Sequence, residues 1–356
     1  MNIKSVAKYA NVSTATVSRT INGSAKVDPG TAERVRQAIK ATGFYVNSNA
    51  RSLGSGRSNL FGLIISDITN PFFPELVKSF EDFAVKHGRD VLIANTNYDP
   101  ERIKLCVTRM LQRKVDGVAI MTSEMDEGLI DIFNRKQIPL VFLDGGEPDC
   151  GLSSVRINYP AGVEMAMSHL VELGHQNIAF ISGPMQLTSA RTRYTAFMES
   201  SAAGHLNTHP AMIQEGNHRV DGGYKAMQRI LEAGEKPTAV LVSNDLSAIG
   251  AIGAIFDYGL RVPQDISVIG FDDIDLGAYT NPPLTTVHLP LPEIAEAAFN
   301  ALLNSRPDSR GHLPMGILRV VSPTFVIRKS TSRVQEWSTQ KRSKKQMKTG
   351  KNEVHG

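Results

Sequence analysis

Two cysteines and one tryptophan in 356 residues set the first limits on this chain. Cys106 and Cys150 are too few for a disulfide framework, so the fold must rest on an apolar core. Both read as reduced thiols that pack rather than react. No stretch is apolar for long enough to cross a bilayer, and Met1-Asn2-Ile3-Lys4 opens without the hydrophobic run of an export signal. A cytoplasmic protein with no membrane partner is the expectation. No His-Glu-x-x-His metal motif is present, and no glycine-rich phosphate loop precedes a Lys-Ser or Lys-Thr pair. Asp272, Asp273 and Asp275 cluster, but nothing catalytic accompanies them, so no enzyme activity, cofactor or metal is expected. His87, His169 and His175 read as helix-surface residues rather than ligands. Leucine heptads are missing from the C-terminal tail, which excludes a coiled coil there.

Charge is what the chain has in uneven supply. The net charge is +4, yet residues 1–58 carry nine basic side chains against two acidic ones. The stretch from Arg328 onward repeats that balance, which leaves the middle strongly acidic. A basic head on an acidic body fits an anionic polymer as partner, because phosphate contacts dominate nucleic-acid affinity.

Within the head, Ile3, Val6, Ala7 and Ala10 share one helical face, with Asn2 placed as N-cap. Asn11 suits a left-handed turn. Ser13 caps a second helix that turns Val17 and Ile21 inward with Val12, leaving Thr14, Ala15, Ser18 and Arg19 outward. Two short helices joined by such a turn form a helix-turn-helix, whose second helix enters the major groove by its N-terminal end. Arg19 can donate twice to guanine, the hydroxyls of Thr14 and Ser18 can reach bases or phosphates, and Ala15 can meet a thymine methyl. A plain three-helix bundle is the alternative, disfavoured by the local charge. A third helix begins at Asp28-Pro29 and ends at Gly43. The segment 45–53 has helical length but little to bury, and Gly54-Ser55-Gly56 follows as a joint.

From residue 59 the pattern changes to β-branched runs alternating with helical stretches. Strands are expected at 61–65, 90–94, 117–121 and 139–143, with helices at 74–87, 99–113 and 127–136. A second series has strands at 178–181, 212–213, 239–242 and 267–271, and helices at 162–173, 191–203, 222–233 and 246–258. Two βα series in succession mean two doubly wound parallel sheets in an α/β chain. Residues 331–356 read as a basic, disordered tail.

The head resembles the lac-repressor (LacI/GalR) family of bacterial transcription regulators. The residues that carry the likeness are Val6-Ala7, Ala10, Val12-Ser13, Thr16-Val17-Ser18-Arg19, Ile21-Asn22 and the stretch from Asn47 to Leu53, and it extends to about residue 330. The resemblance implies a DNA-reading set of Ser13, Thr14, Ala15, Thr16, Ser18, Arg19 and Asn22. Asn47, Arg51 and Leu53 join it from a hinge helix, and Leu53 would wedge into the minor groove. Leu53 could instead be a contact at the domain junction. A head at 1–46, a hinge at 47–58 and a periplasmic-binding-protein-like core at 59–330 follow. Its lobes would be 59–157 with 290–319, and 158–289 with 320–330, crossing near Asn158, His288 and Val320.

An effector would then lie between the lobes, at carboxyl ends of strands. Asn70, Phe72, Phe73, Arg193, Asn244 and Asp272 match the family's effector-contacting positions, and Asp67 and Asp144 fall at strand ends. His218 stands where many sugar-responsive relatives carry an aromatic, and Leu289 where several have glutamine. Phe72 and Phe73 could also cap a core, and Asp245 could be an effector contact or a helix N-cap. The expected protein is a homodimeric repressor of near-palindromic operator DNA, controlled by a small molecule. A sugar or sugar derivative is favoured over a purine or nucleoside, or over a partner protein docking on the first lobe. A solute-binding protein with an incidental head is the reading from outside this class.

Overall fold

The computed structural model describes residues 2–21, 26–44, 58–122, 125–305 and 307–334. Asn22, Asn47, Arg51 and Leu53, with the expected hinge helix, lie outside the described residues. The head is built from α1 (Ile3–Ala10), α2 (Thr14–Ile21) and α3 (Pro29–Thr42). Each helix start is closed by a short-range hydrogen bond that the local sequence supplies. Asn2 accepts from the Ser5 N–H, Ser13 Oγ from the Thr16 N–H at 3.1 Å, and Asp28 from the Thr31 N–H. Asn11 and Gly43 leave α1 and α3 in the left-handed region, at φ 52° and 59°. Val6, Val17, Val35 and Ala38 are wholly buried at the centre of this small core.

The first βα series runs β1 (Leu60–Ile65), α4 (Phe72–Lys86), β2 (Asp90–Asn95), α5 (Pro100–Gln112), β3 (Gly117–Met121), α6 (Glu127–Arg135), β4 (Leu140–Leu143) and β5 (Leu152–Ile157). The second runs α7 (Tyr159–Glu172), β6 (Ile178–Ser182), α8 (Thr188–Ala203), β7 (Ile213–Glu215), α9 (Val220–Glu232), β8 (Ala239–Val242), α10 (Asp245–Asp257), β9 (Ser267–Asp272) and β10 (Thr285–His288). The chain then returns through α11 (Leu291–Asn304), β11 (Leu318–Val321) and β12 (Thr324–Val326). The first sheet has the order β2-β1-β3-β4-β5-β11 and the second β7-β6-β8-β9-β10-β12. Both are doubly wound sheets with the same strand order, so each has its topological switch beside its first strand. In the second sheet four joins are parallel and only the edge strand β12 runs antiparallel to β10. The continuous apolar runs of the central strands are buried on both faces, as a helix-covered parallel sheet requires.

By contact the chain divides into two compact units. One comprises Met1–Asp67, Val77–Ser154 and Glu296–Ile317, the other Ile68–Leu76, Val155–Ala295 and Leu318–Gly356. Several expectations need correcting. Four helices begin two or three residues earlier than periodicity places them, because Phe72, Tyr159, Thr188 and Val220 already turn helically before the apolar repeat is established. Met212 belongs to a short 3-10 turn, and its strand is 213–215. His175 is 2 % exposed, bonded to Thr238 and to the Ser332 carbonyl, rather than at a helix surface. Cys106 is buried, but Cys150 is exposed. The expected tail starts too early: Thr331 Oγ1 meets His169 Nε2 at 3.0 Å, the Ser332 N–H donates to Ser267 Oγ at 3.1 Å, and the Val334 N–H reaches the Leu173 carbonyl.

Helices α9 and α10 pack through glycine. A methyl at Gly223 would meet the Ser247 backbone, and one at Gly250 would meet the Val220 carbonyl. Alanine's better helix propensity is worth only about 1 kcal/mol. Gly250→Ala should therefore lower stability by about 1–3 kcal/mol or more, read from urea unfolding; a variant as stable as the parent would mean that these helices can separate at no cost.

Candidate functional site

The exposed face of α2 presents Thr14, Ala15 and Arg19, with Thr16 and Ser18 half-buried beside them and Ser13 exposed at the start. Ser13 and Thr16 also hold each other, Oγ to Oγ1, at 2.9 Å. Their first duty is thus the helix start, which frees the N-terminal turn to meet a groove. Arg19 is exposed, and nothing in the described head competes for its guanidinium.

A second cluster forms at the carboxyl ends of β6, β8 and β9. Arg193, one turn into α8 and 5 % exposed, donates through Nη1 to the Ser243 carbonyl at 2.7 Å and through Nε to the Ser189 carbonyl at 3.2 Å. Its guanidinium lies over the Tyr159 and Phe271 rings, at 4.5 and 4.8 Å. Asp272 faces it with a 3.7 Å ion pair. Nη2 has no hydrogen-bond partner among the described residues, so one edge of the guanidinium remains available to a ligand.

His218 covers the switch point of the second sheet. Its imidazole lies against Gly183 after β6, and Nε2 meets Ser243 Oγ at 3.0 Å after β8. The Asn244 amide nitrogen donates to the His218 carbonyl at 3.0 Å, while its oxygen caps α10 by accepting from the Ser247 N–H. Asn244, not Asp245, is therefore the helix cap. Asp245 is wholly buried, accepting from Thr286 Oγ1 at 2.6 Å and from the Ile274 N–H at 2.9 Å.

Residues 68–76 belong to this same unit. Asn70 accepts from the Phe72 N–H, and the Phe72 and Phe73 rings meet edge to face at 5.3 Å, each 6 % exposed. Glu75 accepts from the Asp275 N–H at 3.4 Å, which brings this turn beside the end of β9. Asp67 and Asp144 follow β1 and β4 in the other unit; Asp67 is buried and Asp144 half-buried, with φ 71°. Seven of the nine candidate effector residues are thus in one unit, and Asp67 and Asp144 are in the other.

Sequence reading overlooked Tyr159, Ser243, Phe271 and the pair that holds Asp273. Asp273 accepts from Arg328 at 2.6 Å and from His288 Nδ1 at 2.9 Å. Asp272 and Asp273 both adopt positive φ, 113° and 60°, conformations that a side chain disfavours. Such strain persists only where surroundings impose it and tends to mark functional sites. Arg328 and His288 lie 55 and 15 residues away, so no local pattern could have announced them.

Burial dominates the electrostatics. It pushes His218 down to about 3, helped by the Arg193 charge, so the imidazole is neutral at physiological pH. It pushes Asp272 up to about 7 even though Arg193 opposes the shift, and the neighbouring Glu75 adds to it. Asp245 is raised well above its ordinary value, first by burial and then by the Asp272 charge. Among the described residues, no three ligating side chains gather as a metal would need.

Because Asp272 holds its proton more tightly folded than unfolded, the stability it contributes is complete below its ordinary value of 3.8 and is lost as pH rises through about 7. Asp272→Asn cannot ionise and escapes that loss. Its melting temperature relative to the parent should climb between pH 5 and pH 8; a difference that stays flat across this window would place the Asp272 proton elsewhere.

Residues 2–47 match the bacterial regulatory proteins of the lacI family, and residues 167–331 match the periplasmic binding protein-like domain. The chain is 35% identical over 337 residues to the HTH-type transcriptional repressor PurR of Haemophilus influenzae (strain PittEE), covering 93% of this chain and 99% of that protein. To the PurR of Klebsiella pneumoniae (strain 342) it is 36% identical over 314 residues, covering 86% and 92%. Among solved structures, the lac repressor dimer bound to operator and the anti-inducer ONPF superposes with a TM-score of 0.81 at 29% identity, over 93% of this chain and 99% of that one. The transcriptional regulator CelR in complex with cellobiose gives 0.68 at 26%, with the same shares. A helix-turn-helix head, two sheets of one winding and relatives matched almost end to end lead to one conclusion: the chain belongs to the lacI family of bacterial regulatory proteins and is a DNA-binding transcription regulator.

Proposed function

We propose that the chain is a homodimeric repressor of a near-palindromic operator and that a sugar or sugar derivative, held at the carboxyl ends of the second sheet, sets its affinity for that DNA. The observation that carries the effector class is the Arg193–Asp272 pair. A guanidinium with an unclaimed Nη2 beside a carboxyl that ionises near neutrality supplies a donor and an acceptor side by side, which adjacent hydroxyls match. Phe72 and Phe73 add an apolar surface for a ring face. The cellobiose complex of a structural neighbour supports the same class. The PurR relatives favour the second reading, a purine or nucleoside, whose edge also alternates donors and acceptors.

Control of DNA binding then follows from linkage. A ligand that binds two states of the core unequally shifts the population able to hold both heads on one duplex, and DNA alters ligand affinity by the same factor. Leu53 in the minor groove and Arg19 in the major groove divide the work of binding between kink and base readout.

Thermal shift of the full chain against pentoses, hexoses, sugar phosphates, nucleosides and purine bases separates the two readings. A saturable rise with a sugar, weakened in Arg193→Lys, is expected; a rise with purines alone would replace the sugar by a base. On DNA, Arg19→Ala should relax preference at one position per half-site by about 1–3 kcal/mol, whereas Leu53→Ala should weaken every sequence alike. Equal, sequence-independent losses in both variants, measured by operator titration, would contradict that division.

A further inference from the structure

The first sheet has a cavity at the end opposite to its candidate ligand residues. Asp67 and Asp144 follow the carboxyl ends of β1 and β4, whereas this cavity, of about 540 Å3, opens at the amino ends of β1, β3 and β4. Phe61, Val115, Ile138 and Leu302 form an apolar stretch of its wall, and Gln137 and Ser305 add neutral polar groups beside it. Among the described residues its charged lining is Arg89, Lys114 and Lys136 against the single carboxylate of Asp116.

That carboxylate is already engaged. Asp116 accepts from the Ser58 N–H at 2.9 Å, the Ser58 hydroxyl at 3.0 Å, the Asn59 N–H at 3.1 Å and Arg89 Nη1 at 2.9 Å. The same Nη1 reaches Asn59 Oδ1 at 2.9 Å. Both of these bonds leave from one nitrogen, so Nε and Nη2 of Arg89 have no hydrogen-bond partner among the described residues, although the side chain is only 10% exposed. The guanidinium also rests over the Phe61 ring, at 5.4 Å. Lys114 and Lys136 are exposed, and neither has a carboxylate in salt-bridge reach among the described residues.

Three cations and one committed carboxylate call for an anion, and the fork of Nε and Nη2 fits two oxygens of a carboxylate, sulfonate or phosphate. Inorganic phosphate would leave the apolar stretch of Phe61, Val115, Ile138 and Leu302 wet, and the hydroxyls of a sugar phosphate set against that stretch would lose their water without a partner, whereas an apolar body covers it. The volume falls in the range of sites for small organic molecules. We propose that this cavity is a second ligand site, for a small organic anion with an apolar body, and that its occupancy is felt at Ser58 and Asn59. An anion on Arg89 fixes the guanidinium, the guanidinium fixes Asp116, and Asp116 holds the two residues that lead into β1. The site shares no residue with the effector cluster, so it stands apart from the sugar reading.

The probe is 8-anilinonaphthalene-1-sulfonate, which joins one sulfonate to an apolar aromatic body and fluoresces when removed from water. Titration of the full chain should show one saturable site, weakened tenfold or more in Lys114→Gln/Lys136→Gln and unchanged in Arg193→Lys. The two lysines are exposed, so the double variant keeps its fold, which its circular dichroism verifies. Hydrogen exchange at the Ser58 and Asn59 amides should slow several-fold when the probe is bound. No saturable binding, equal affinity in the lysine variant, or loss in Arg193→Lys would each overturn the site; exchange that stays the same or quickens would overturn its coupling to Ser58 and Asn59.

Discussion

Arg193 is the group around which the ligand-binding unit is arranged. A guanidinium buried to 5 % exposure is tolerated only if its charge and its donors are answered, since an uncompensated buried charge costs several kcal/mol. The answers come from three elements: Tyr159 at the start of α7, the Ser243 carbonyl after β8, and Phe271 and Asp272 at the end of β9. The arginine itself stands on α8. Meeting its needs therefore brings the carboxyl ends of the second sheet into one arrangement, and that arrangement is the candidate site. The residual tension is visible in Asp272, whose burial outweighs its partner and leaves the carboxyl poised near neutrality.

Poise of this kind is useful to a regulator. A ligand hydroxyl that donates to Asp272 favours the ionised form, and one that accepts from it favours the protonated form, so ligand and proton compete or cooperate according to chemistry rather than size. Asp245 repeats the theme deeper in the unit, where Thr286 and the Ile274 N–H stabilise its charge but burial prevails. Two neighbouring carboxyls with raised affinities for protons resist ionising together, because the charge of one opposes the charge of the other.

Legibility in the sequence followed the range of the interactions. The head was readable almost residue by residue, because its caps at Asn2, Ser13 and Asp28 act over three residues and its core repeats at helical spacing. The central strands and their helices were readable from apolar runs. What escaped was long-range. β5, β10, β11 and β12 are short or polar strands whose existence depends on partners far along the chain, and α11 follows directly on one of them. At the site, Arg193, Asn244 and Asp272 could be placed at strand and helix ends, whereas Tyr159 and Arg328 needed the fold itself. His175 misled for the same reason, since its partners Thr238 and Ser332 lie 63 and 157 residues away.

The glycine contact between α9 and α10 has a mechanical consequence. His218 stands two residues before α9 and Asn244 immediately before α10, and the two residues are bonded to each other. With Gly223 and Gly250 pressing backbone against backbone, neither helix can slide or tilt without its neighbour. A push on the imidazole of His218 therefore has no soft element to absorb it at its base. Whatever force a ligand exerts at the switch point is delivered to the pair of helices as a displacement of a single stiff lever.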